Sequence, residues 1–131
     1  FTDAPIHILI GELDTWTQDS ACEALVADMS ETKDNISITI YENSHHSFDS
    51  TLNEKVVEHG YSFTNCMFDI SDDGAILMNY LNIPMTSPML QKIGLAFCVE
   101  RGPIVGGNSQ TRKDALEFSK LFMSKHLLEI N

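Results

Sequence analysis

Pro5-Ile6-His7-Ile8-Leu9-Ile10-Gly11 is a short apolar run closed by glycine, the pattern of a strand buried on both faces. From residue 18 to 30, Ala21, Cys22, Leu25, Val26 and Met29 recur on one side at helical spacing. That stretch predicts an amphipathic helix, with Thr17 as its cap. Residues 36–41, Ile-Ser-Ile-Thr-Ile-Tyr, are β-branched and alternating and predict a second strand. A strand, a helix and a strand in so short a span make a βαβ unit with parallel pairing.

The pattern then weakens. A polar loop, Glu42-Asn43-Ser44-His45-His46-Ser47-Phe48-Asp49, leaves the second strand. Residues 60–70 alternate moderately and end in Ser71-Asp72-Asp73-Gly74, where Asp-Gly signals a hairpin with a return strand over 75–81. The expected hairpin over 61–81 lies outside the main sheet, and its position just after the His46 loop suggests a lid or rim. Pro84 and Pro88 punctuate a loop, and Ser87 is placed to cap a helix over 88–101 that stops at Gly102. Gly106-Gly107-Asn108 precedes a final helix over 109–128. There Ala115, Phe118, Leu121, Phe122 and Leu128 share one face, and Leu116, Met123 and Leu127 form a second apolar strip. A helix apolar on two sides is expected to be sandwiched.

The chain has 131 residues, the length of a single domain. Its net charge of −11 argues against the basic footprint of a nucleic-acid binder or of a protein that docks on anionic membranes. No apolar run reaches the roughly 20 residues that a spanning helix needs. The charge is uneven: residues 1–90 hold 15 acids and 2 bases, while residues 91–131 hold 4 acids and 6 bases. The simplest reading of the acidic part is a solvated face. Cys22, Cys66 and Cys98 show no CxxC spacing and signal neither a zinc site nor a disulfide framework, although a Cys66–Cys98 bridge stays open. The text at Phe1 already reads like the run-in to a buried strand, so the chain is expected to be a piece of something longer.

Asp14 stands just past the carboxyl end of the first strand and His46 just past that of the second. In open α/β sheets chemistry gathers outside those ends. Parallel neighbours lie about 4.8 Å apart, so the two exit loops can meet. A carboxylate beside imidazole fixes the tautomer and stabilises the imidazolium when the ring takes a proton. The plainer alternative has Asp14 capping a turn and His46 as a satisfied polar group. His45, His46, Asp49 and His59 are apt ligands for a transition metal, but adjacent histidines on an extended segment point opposite ways. Asp69-Ile70-Ser71-Asp72-Asp73-Gly74 imitates the opening of a calcium loop, yet Tyr80 stands where the bidentate Glu belongs.

Gly11-Glu12-Leu13-Asp14-Thr15-Trp16-Thr17, followed by His46-Ser47-Phe48-Asp49 one βα unit later, resembles the dienelactone hydrolase family of α/β-hydrolases. Gly106-Gly107-Asn108, running through Lys113-Asp114-Ala115 to Phe122 and His126-Leu127, looks like that family's closing helix. The resemblance covers residues 5–50 and 103–128. It implies that Asp14 is the triad acid and His46 the triad base, with His45 a competing candidate, since the position before this histidine is usually not histidine; the Phe48-Asp49 spacing of the pattern favours His46. Trp16 and Phe48 are expected to pack the loops rather than touch substrate.

The departure from the pattern is as informative. In α/β-hydrolases the chain order is nucleophile, acid, histidine. Residues 1–13 contain neither Ser nor Cys, and no G-x-S-x-G or G-x-C-x-G occurs anywhere. Gly60-Tyr61-Ser62-Phe63-Thr64 lacks the second glycine, and Cys22 falls on the apolar face of a helix.

The expected fold is therefore α/β: a single domain over 1–131, the C-terminal portion of an α/β-hydrolase sheet. It comprises a βαβ unit and a closing helix, with an inserted hairpin-and-helix lobe over 51–102. The expected function is the acid–base half of a serine or cysteine hydrolase acting on an ester or lactone, inactive as this chain alone. No cofactor and no metal is implied. The expected partners are a small-molecule ester or lactone, the missing N-terminal half of the fold and, for the isolated chain, a second copy. Nucleic acid and membrane are not among them. A non-catalytic α/β binding or assembly module is the rival reading, and a metal-dependent enzyme built on the histidine cluster is a third.

Overall fold

The structure is a computed structural model that describes residues 4–32, 34–78 and 80–128, with the side chain of Tyr80 outside the description. The run-in at Phe1 and position 79 of the expected return strand therefore lie outside the described residues, as does the side chain of Tyr80 that ends the calcium-loop reading. Along the chain the elements are β1 (Ile6–Gly11), α1 (Asp19–Ser30), β2 (Ile36–Tyr41), β3 (Lys55–Val56), β4 (Tyr61–Ser62), β5 (Phe68–Ile70), β6 (Ile76–Met78), β7 (Ile83–Pro84), α2 (Pro88–Leu95), β8 (Glu100–Arg101), β9 (Ile104–Val105) and α3 (Ser109–Leu127). This is a small mixed α/β fold with three helices among the described residues. The chain divides into two compact units, residues 1–56 with 104–131, and residues 57–103.

In the first unit β1 and β2 pair in parallel, from Ile6 opposite Ile36 to Gly11 opposite Tyr41. The expected βαβ pairing is present. β3 and β9 form a short antiparallel ladder, so residues 51–56 belong with this unit and not with the insertion. Ile10, Ile36, Val105 and Ala115 are buried. His7 packs its ring 4.2 Å from that of Phe118, which brings α3 onto β1.

Three details of this unit differ from expectation. Thr17 does not cap α1: the helix starts at Asp19 and its cap position is Gln18, without a side-chain bond, while the Thr17 amide donates to Asp14 Oδ1 in the turn before it. No residue of α1 is buried, and Leu25 on its apolar face stays half-exposed. The second strip of α3 is not sandwiched either. Leu116, Met123 and Leu127 are 54%, 52% and 60% exposed, while the ring contacts of α3 with β1 run through Phe118 and Phe122 on its other side, where Leu121 and Leu128 are exposed as well.

In the second unit the hairpin turns at Ser71 to Gly74 as expected, but it is shorter than 61–81, pairing only Phe68–Ile70 with Ile76–Met78. β7 adds a third strand. The alternating run over 60–70 is two strands, not one, because Tyr61 and Ser62 pair with Arg101 and Glu100 instead. Ser87 does cap α2, accepting from the Leu90 amide. The helix nevertheless ends at Leu95 rather than 101. Cys98 is drawn into a disulfide with Cys66, and Glu100–Arg101 is claimed by the ladder with β4.

Candidate functional site

The first unit builds its polar centre where β1 and β2 end. A Cβ on Gly11 would stand 2.2 Å from the Ser44 carbonyl oxygen, so only glycine lets the turn after β1 approach the loop after β2 this closely. The amides of Glu12 and Leu13 donate to the carbonyls of Tyr41 and Ser44 at 3.0 and 2.9 Å. Asp14 follows, its amide donating to the Gly11 carbonyl. Its carboxylate is 7% exposed. Oδ1 accepts from the amides of Trp16 and Thr17, both at 2.8 Å. The other oxygen, Oδ2, accepts from His46 Nδ1 at 2.8 Å.

His46 sits on the loop leaving β2, between Asn43 and Ser47, both in the left-handed region with φ of 52° and 65°. Each costs about 1–3 kcal/mol for a residue other than glycine, and such conformations persist only where surrounding structure enforces them. A carboxylate only accepts, so the neutral ring carries its proton on Nδ1 and a lone pair on Nε2. Nε2 has no hydrogen-bond partner among the described residues, and the side chain is 37% exposed. The Trp16 ring flanks the imidazole at 5.0 Å. This arrangement can take a proton at Nε2 while Asp14 holds the opposite edge of the ring. Asp14 thus does both things weighed from the sequence: it ties the turn with one oxygen and faces the histidine with the other.

His45 is turned elsewhere. Its Nδ1 donates to the Leu13 carbonyl at 3.0 Å, and its Nε2 lies 3.6 Å from Glu54 Oε2. Between the two histidines, His46 is the one that meets Asp14. Among the described residues no three His, Cys, Asp or Glu side chains gather as a metal site; of the cluster weighed above, His45, His46 and Asp49 stand in the first unit and His59 belongs to the second. Phe48 packs its ring 5.1 Å from that of Tyr41. Burial first, and then the charges of Asp14 and Asp19, push the Cys22 thiol up, away from the thiolate a nucleophile needs.

The sequence reading missed what holds the His46 loop. Ser44 is fully buried; its hydroxyl donates to the Glu42 carbonyl at 3.1 Å and shares a hydrogen bond with the buried Thr111 hydroxyl at 3.0 Å. Asn108 caps α3, its Oδ1 accepting from the amides of Gln110 and Thr111. Its Nδ2 reaches the Asn43 carbonyl at 3.3 Å and Ser44 Oγ at 3.4 Å. An asparagine before a helix is a readable capping signal; a serine and a threonine meeting across 67 positions leave none. No family model matches the chain, and neither a curated protein nor a solved structure matches it.

Proposed function

We propose that this chain carries the acid–base half of a serine or cysteine hydrolase acting on an ester or lactone, with Asp14 as the acid and His46 as the base. The observation that carries this reading is the 2.8 Å contact between Asp14 Oδ2 and His46 Nδ1 at the carboxyl ends of two adjacent parallel strands. A nucleophile supplied by a preceding segment of a longer protein attacks the carbonyl and forms an acyl-enzyme. His46 Nε2 takes the nucleophile's proton, passes it to the leaving group and then draws one from the attacking water. Asp14 keeps the ring in the Nδ1–H tautomer and stabilises the imidazolium. The outer edge of β1, which has no partner strand among the described residues, supports this reading, because an open apolar strand invites pairing.

The test is turnover of an activated ester by the longer protein. His46→Ala is expected to lower kcat by several orders of magnitude and Asp14→Asn by about 10⁴-fold, with KM little changed. The 131-residue chain alone is expected to show no turnover. Undiminished hydrolysis after His46→Ala overturns the assignment, and a longer protein inert toward esters and toward serine- and cysteine-directed probes leaves the Asp14–His46 contact as a structural tie.

A further inference from the structure

We infer that Asn108, Ser44 and Thr111 are positioning residues for the His46 ring, so that the start of α3 sets where the base stands; this rests on the hydrolase reading for its consequence in turnover, but not for its geometry. Asp14 holds one edge of the imidazole and leaves the backbone beneath it undetermined. That backbone passes through two left-handed residues other than glycine, Asn43 and Ser47, a path that needs outside support.

The turn after β1 supplies part of that support, with the Leu13 amide donating to the Ser44 carbonyl and Glu12 Oε2 accepting from the Asn43 amide, and the segment entering α3 supplies the rest. Before His46, Asn108 Nδ2 donates to the Asn43 carbonyl and to Ser44 Oγ. After it, the Asn108 amide donates to the Phe48 carbonyl at 2.9 Å. At His46 itself, the Gly106 amide donates to the carbonyl at 3.0 Å. Both arms of the loop are therefore pinned within two residues of the histidine. The same Asn108 side chain turns its oxygen to the Gln110 and Thr111 amides, which ties the pins to a rigid helix. The buried Ser44–Thr111 hydroxyl pair closes the network, and a buried network with all its members satisfied resists displacement. Displacing a reacting group by about 1 Å can cost 10²-fold in rate.

Asn108→Asp separates positioning from capping. It keeps the oxygen that caps α3, and a negative charge suits a helix N-terminus, but it removes the Nδ2 donor. Thr111→Val and Thr111→Ser form a second pair, the first losing the hydroxyl and the second keeping it. The first readout is the His46 Nδ1–H resonance of the ¹⁵N-labelled 131-residue chain, which does not depend on activity. We expect it to be shifted and to exchange faster with solvent in Asn108→Asp and Thr111→Val, and to be as in the parent chain in Thr111→Ser. The second is kcat of the longer protein, expected to fall about tenfold or more in the first two variants with KM held. A resonance unchanged in both Asn108→Asp and Thr111→Val overturns the inference. If the resonance responds but the longer protein never hydrolyses esters, the hydrolase reading fails and the positioning of His46 stands.

Discussion

His7 shows how one side chain can make a fold sensitive to pH. Its two ring nitrogens meet Ser37 Oγ at 2.7 Å and Thr39 Oγ1 at 2.8 Å, and Phe118 lies against the ring. Burial lowers its pKa from 6.5, so the unfolded chain takes up this proton at a higher pH than the folded one. The stability that His7 contributes is complete above about pH 6.5 and declines as the pH falls below that value, levelling off once the folded state is protonated too. Urea midpoints at pH 7.5 and 5.5 should differ less in His7→Gln, which hydrogen-bonds without titrating; an equal difference removes the assignment. Gly11 makes a steric prediction. Since its Cβ would overlap the Ser44 carbonyl, Gly11→Ala should destabilise by about 1–3 kcal/mol or more. It should also disturb the Asp14–His46 contact, both visible by denaturant titration and NMR. Gly74→Ala, where a Cβ meets nothing within 4 Å but φ is +83°, should leave that contact intact.

Among the elements, the second unit depends most on a covalent tie. Its strands are two or three residues long, and Ser62 and Met78 are among its few buried side chains. So small a unit needs more than its core. The Cys66–Cys98 bridge, spanning 32 positions, supplies about 3–4 kcal/mol by the loop-entropy estimate. Replacing both cysteines with alanine should strip hydrogen-exchange protection from β5 and β6, which the hairpin pairs, and leave the β1–β2 amides protected. Loss of protection in both places would mean that the two units unfold as one. The same bridge explains why the apolar pattern over 88–101 misleads: helical periodicity continues, but Cys98 is committed to a partner 32 positions away.

For the whole molecule the exposed apolar surface is what matters. β1 has an open edge among the described residues, and α3 shows Leu116, Met123 and Leu127 to solvent. Both invite a second copy when the chain is isolated, and a two-fold dimer is the commonest closed solution. Roughly 800 Å² buried per partner makes such a contact specific. Light scattering at micromolar concentration is expected to give the mass of two chains, falling toward one in Met123→Glu with Leu127→Glu. A parent chain of monomer mass overturns the prediction.

What the sequence alone determines here is whatever neighbours in the chain decide. The apolar run of β1, the alternation of β2, the Asp73-Gly74 turn, the Ser87 cap and the long α3 each follow from contacts a few residues apart. The meeting of Asp14 and His46 is legible for a related reason: consecutive parallel strands must bring their exit loops side by side. Tertiary structure alone decides the rest. The two-residue ladders of β3 with β9 and β4 with β8 are too short to carry a period and exist only through partners distant in the chain. The loop that carries His46 is held in part by Asn108 and by the Ser44–Thr111 pair. That hold comes from side chains more than sixty positions away, and no local pattern of polar and apolar residues records such a contact.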